Sequence, residues 1–187
     1  MENKDVLFEE LSALPIALGA YKASVIEAKA IETDTAFRDM CIANSCGVCG
    51  KCWMCPPDVG NIEDLMQQIK EYDYALVYQT VTALEDSFDF EGRVAAKRQM
   101  HRITLQLRKE LDQKIKFSKV LHLGVGGCGV CEVCSKRTSE PCRFPHLAIP
   151  SLEAYGVNVS KLAATASMKY INGQNTVTYF GVVLFSL

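Results

Sequence analysis

KVLHLGVGGCGVCEVCSKRTSEPCRFP, residues 119–145, runs an apolar strand pattern straight into four cysteines: Cys128, Cys131, Cys134 and Cys142. The first seven residues carry the alternation of a strand, so the cysteine loop leaves the end of a sheet. Its form is Cys-x2-Cys-x2-Cys-x7-Cys, with Pro145 three residues after the last cysteine. Ferredoxin-type cubane clusters are held by three thiolates at this short spacing and a fourth from further along, often beside proline. A cube of iron and sulfur offers four iron corners, and a tightly turning loop presents thiolates to three of them. Gly126, Gly127 and Gly129 suit such a loop because glycine lets amides approach the cluster. Lys136, Arg137 and Arg143 are positioned to offset thiolate charge, and Arg143 is carried forward as a cofactor-binding candidate. Zinc is the rival, since four thiolates also make a tetrahedral zinc site. Structural zinc usually takes two separated Cys-x2-Cys pairs, which leaves the middle cysteine without a role.

A second cysteine block lies upstream, CIANSCGVCGKCWMCPP at residues 41–57, with Cys41, Cys46, Cys49, Cys52 and Cys55. By spacing, Cys46, Cys49, Cys52 and Cys55-Pro56 fit the ferredoxin run with the last gap one residue short, leaving Cys41 spare. Trp53, between two of these cysteines, is a candidate to shield a cluster from water. One 4Fe-4S cluster is expected at the downstream block and a second is possible at this one. The alternatives are a cysteine-rich zinc knuckle and a reduced, unliganded loop.

Nine cysteines in 187 residues, eight of them in two tight groups of four with Cys41 spare, call for a compartment assignment. The opening MENKDVLFEELSALP lacks the basic start and apolar stretch of a secretory signal, and the longest apolar run, FGVVLFSL, is too short to span a bilayer. The expectation is a cytoplasmic protein with reduced thiols and no membrane association, in which clustered cysteines serve metal rather than disulfides. With 20 basic against 22 acidic residues, net charge −2, nothing in the overall balance points to a nucleic-acid partner.

The remaining sequence alternates helices and strands over a single domain, residues 1–187. Val6, Leu7, Leu11 and Leu14 mark a helix that Pro15 is expected to close. AYKASVIEAKA (20–30) reads as a strand, Asn61 as the N-cap of a helix, and DYALVYQTV (73–81) as a buried strand. Residues 91–116 form the longest helix, with Met100, Ile103, Leu107 and Leu111 on its inner stripe. Ser151 opens a short turn that Gly156 stops, a helix follows over 160–168, and NTVTYFGVVLF (175–185) is the last strand. The fold class is therefore an α/β (or α+β) sandwich: a small sheet of about four strands, helices packed on it, and two cysteine-rich metal loops at one end.

GGCGVCEVCSKRTSEPCRFPHLAIPSLEAYGVNV, the upstream GKCWMCPP and the terminal VTYFGVVLF together resemble a widespread prokaryotic family of uncharacterised, cysteine-rich predicted metal-binding proteins. The resemblance runs from about residue 20 to the end of the chain. It implies metal, most simply iron–sulfur, on Cys128, Cys131, Cys134 and Cys142 together with cysteines of the first block, and no known reaction. The family block commonly has tyrosine at the position of Cys49 and no cysteine at that of Cys52. That implies Cys41, Cys46 and Cys55 as the upstream ligands, against the spacing, and both sets stay open. The family also tends to carry arginine at the position of Ile149.

Other motifs carry less. Gly124-Val125-Gly126-Gly127-Cys128-Gly129 matches a dinucleotide loop in letters, but a cysteine loop follows where a helix must begin. His101 reads as a surface residue, His122 as core, and His146 as an ordinary loop histidine, though the one histidine near enough to a cysteine group to be considered as ligand or proton carrier. Asp58 and Glu153 read as solvated or capping residues. The functional expectation is electron transfer to or from a redox partner protein. The alternative is a metal-stabilised interaction or redox-sensing module without catalysis, and a more remote one an open iron site acting as a Lewis acid.

Overall fold

The computed structural model describes residues 2–187. Four strands form one open antiparallel sheet: β1 (Lys22–Glu27), β2 (Tyr74–Ala83), β3 (Lys119–Leu123) and β4 (Thr176–Ser186), in the order β1-β2-β4-β3. The long helix α4 (Phe90–Lys114) carries the chain from β2 to β3, two strands that run the same way with β4 inserted between them. Alternate residues of the central strands face opposite sides, and both sides are apolar. Leu76, Tyr78, Val183 and Phe185 meet Leu11 of α1 (Glu2–Ala17) and Met100, Ile103, Leu107 and Leu111 of α4. Ala75, Val77, Val182 and Leu184 meet a second layer that includes Leu65 and Ile69 of α3 (Ile62–Ile69) and Leu162 of α5 (Val159–Thr165). The fold is thus an α/β sandwich with helices on both faces.

Local signals behave as their chemistry dictates. The Asn61 side chain accepts from the amides of Glu63 and Asp64, which caps α3. Ser151 Oγ accepts from the Ala154 amide, and Gly156 ends that turn at φ +70°, where a side chain would be strained. Pro15 does not close α1. The helix runs to Ala17, because a proline in the last turn removes one backbone bond while Leu11 stays fully buried. A helix the sequence reading lacked, α2 (Ala36–Ile42), holds Cys41 in its last turn.

His122 lies on β3, 5% exposed, with neither ring nitrogen partnered among the described residues. Burial first, and then Arg108, drive its imidazole down to about 3. The unfolded chain therefore takes up this proton near pH 6.5 while the folded one refuses it, so stability is full above that pH and falls as pH drops toward 3. From about pH 7 to about pH 5 the loss attributable to His122 is about 2 kcal/mol. Urea unfolding should show it as an acid-side loss that His122→Leu lacks; equal losses in both proteins would remove His122 as the cause.

Candidate metal centre

β1 and β3 run in opposite directions and finish toward opposite ends of the sheet: Glu27 pairs with Tyr74, which pairs with Phe185, whereas Leu123 pairs with Val182. Residues 28–40 then lead the chain to the segment that follows β3. A Thr33–Val157 bridge guides them, and α2 is then fixed by Arg38. Arg38 is 8% exposed and donates to the carbonyls of Gly60 (2.7 Å) and Ala154 (3.3 Å). Each bond lets a buried guanidinium retain partners. Beyond α2 the chain folds back on Pro56, whose carbonyl accepts from the Gly50 amide at 2.8 Å and the Cys49 thiol at 3.3 Å.

The second cysteine loop begins where Gly124 pairs with Ser151. Ser135 Oγ donates to the Pro141 carbonyl, and Arg143 donates to the Val133 carbonyl, so both tie the loop to itself. The two loops are also tied to each other. Lys136 pairs with Asp58 (2.5 Å), its ammonium lies 4.2 Å over the Trp53 ring, and Trp53 Nε1 donates to the Glu140 carbonyl (3.0 Å). Asp58 thus latches one cysteine loop to the other instead of standing in solvent.

All nine cysteines are free, and they divide between two adjoining cavities. A tight cleft of about 20 Å³, room for one water, is lined by Cys128, Cys131, Cys134 and Cys142 and by Cys52 from the first loop. Trp53 and Phe144 wall it. A wider cavity of about 290 Å³ takes Cys41, Cys46, Cys49 and Cys55, with Lys97, Glu153 and Tyr179 on its other sides. Cys52 and Cys55 face different cavities because the chain turns between them, the Cys55 amide bonding the Cys52 carbonyl at 3.0 Å.

Electrostatics follow this division. Cys55, acting as hydrogen-bond donor, pulls the Cys52 thiol down, and the amides of Met54 and Cys128 and the Cys134 thiol add to it against burial. The same hydrogen bond raises Cys55 in turn, with burial adding to it. Cys128 is pushed up by burial, against amides of Ile149 and Val130. Cys41 rises to about 11 through burial and then Glu153, with Arg38 opposing.

Residues 24–185 match a family model described as "Predicted metal-binding protein (DUF2284)". The chain belongs to this family. The match takes in both cysteine loops, all four strands except the first two residues of β1 and the last of β4, and leaves out α1. No curated protein and no solved structure matches. Metal binding is thereby the family's described property, and the cleft must be judged against it. Among the described residues, no group of three or more His, Cys, Asp or Glu side chains is already arranged to hold a metal ion. The donor chemistry nonetheless fits: the tight cleft is lined by sulfur with no carboxylate or imidazole, a soft set that suits zinc, copper(I) or iron–sulfur and not magnesium or calcium.

Of the three histidines, His101 is the one placed differently from expectation. His146 is exposed, whereas His101 of α4 is half-buried behind the second cysteine loop, its Nε2 2.9 Å from the Val125 carbonyl. Burial holds its imidazole below the ordinary range, with Lys97 contributing. Its basic neighbours Arg98 and Arg102 gave the surface reading; only tertiary placement reveals the contact. Among the described residues no helix is long and apolar enough to cross a membrane.

Proposed function

We propose that the protein is an iron–sulfur protein that passes electrons to or from a partner in a reducing, cytoplasmic compartment. The observation that carries this is the all-sulfur cleft of Cys128, Cys131, Cys134 and Cys142, walled by Trp53 and Phe144. Those four cysteines would hold a 4Fe-4S cluster, which supplies one-electron redox chemistry when bound. The chain's own part is to deliver thiolates, to aim amides at sulfur and to keep water away with Trp53. Cys41, Cys46, Cys49 and Cys55 are the set for a second cluster, and Cys52 lies between the two.

A second reading is a zinc- or cluster-stapled interaction or redox-sensing module, favoured by the latch of Asp58, Lys136, Trp53 and Glu140 that joins two loops of little regular structure. Anaerobic purification with iron, zinc and acid-labile sulfide analysis separates them. Iron and sulfide are expected at about four each per chain for one cubane, or about eight for two. A reversible one-electron paramagnetic signal is expected alongside. Zinc alone would end the electron-transfer reading.

A further inference from the structure

Beside the tight cleft runs an open groove of about 550 Å³ between α4 and the loop after Cys142, lined by Leu105, Arg108, Lys109, Val130, Phe144 and Leu147. We propose that this groove docks a small acidic electron-carrier protein, an inference that rests on the electron-transfer reading above and names its partner class.

Three observations lead there. Val130 and Phe144 line the groove and also line the thiol cleft, so one layer of side chains separates a seated partner from the cysteines. Phe144 is 48% exposed and Leu147 43%, which gives the groove an apolar centre open to solvent. Along α4 the charge beside it is mainly basic. Between Gly92 and Lys109, α4 carries Arg93, Lys97, Arg98, Arg102, Arg108 and Lys109 and no acidic residue, on a chain of net charge −2. Arg98, Arg102 and Lys109 are exposed and share one side of the helix with Leu105, being four, three and four residues apart in turn. Asp112 is the groove's one acid, and it stands 3.9 Å from Arg108.

A basic rim around an apolar centre complements a protein with an acidic rim around an apolar spot, the pattern that speeds encounter without demanding a tight complex. A nucleic acid would seek an unbroken row of phosphate contacts, and the apolar centre interrupts that row. One electron crosses the shared wall, oxidising one protein and reducing the other, with no bond made or broken.

The test compares the metal-loaded protein with the Arg102→Glu/Lys109→Glu variant, using a plant-type [2Fe–2S] ferredoxin as the acidic probe in surface plasmon resonance. Binding to the unaltered protein should weaken as salt rises, and the variant should bind about tenfold or more weakly at low salt. Iron content and reduction by dithionite should be the same in both. Equal binding of the two proteins, no binding to either, preference for a single-stranded oligonucleotide, or burial of the face by a second copy in sedimentation would each overturn the proposal. Failure of the electron-transfer reading shows separately, as a lack of iron and of dithionite reduction, whatever the binding data give.

Discussion

Replacing Cys131 with serine is expected to remove most of the iron from the tight cleft, a fall of about four iron atoms per chain. Cys131 lines that cleft with Cys128, Cys134 and Cys142 and has no place on the wider cavity. Serine keeps the shape but exchanges a soft, readily ionised sulfur for a hard hydroxyl that stays protonated near neutral pH. Cys52 is the one other thiol on the cleft, and it is already engaged with Cys55, Cys134 and the amides of Met54 and Cys128. Cys49→Ser is the matched comparison, because Cys49 lines the wider cavity and donates to Pro56. It should leave intact the iron, sulfide and paramagnetic signal that Cys131→Ser loses. Circular dichroism of both variants checks that the sheet persists. Full metal retention in Cys131→Ser, or loss of the same signal in Cys49→Ser, would show that the ligands are otherwise assigned.

That expectation came from spacing along the chain, and spacing reached only part of the site. Residues 128–142 fold as a local unit, so three thiols at x2 intervals and a fourth beyond them do line one cleft. The upstream block defeats the same logic. Cys46, Cys49, Cys52 and Cys55 share one register in sequence, yet the turn at Cys52–Cys55 aims neighbouring thiols into different cavities. Cys41, spare by spacing, joins Cys46, Cys49 and Cys55 because Arg38 seats α2 against Gly60 and Ala154. No periodicity announces a seven-residue helix whose anchor is a buried arginine. The regular elements were easier to read, for the opposite reason. The Asn61 cap and the stripe of Met100, Ile103, Leu107 and Leu111 satisfy local chemistry and packing at once. Strand direction was not legible: helices between strands suggest parallel neighbours, and here β4 enters between β2 and β3 to make every pair antiparallel.

Gly129→Ala is expected to loosen the second cysteine loop, at a cost of about 1–3 kcal/mol in stability, typical of forcing atoms into a filled site. Metal affinity should fall by about 10- to 100-fold, as when groups that support ligands are disturbed. Gly129 stands between Cys128 and Cys131, and its backbone is outside the positive-φ region, so alanine brings no torsional strain there. The obstacle is His101. A Cβ at position 129 would fall 1.9 Å from Nδ1, 2.4 Å from Cγ and 2.6 Å from Cε1 of that ring. The ring cannot swing aside freely, because Nε2 is bonded to the Val125 carbonyl and the helix behind it is anchored by Ile103 and Thr104, 0% and 3% exposed. Either the ring leaves that bond or the loop lifts away from α4, and the second displaces the thiols on either side. His101→Ala alone gives up one hydrogen bond and some packing. Combined with Gly129→Ala it removes the very atoms that the new methyl meets, so the double variant should regain metal and stability that Gly129→Ala lost. The coupling read from urea unfolding of the four proteins should exceed about 1 kcal/mol in the favourable direction. If the two losses simply add, the ring is not what holds the cysteine loop in place, and Gly129 matters for another reason.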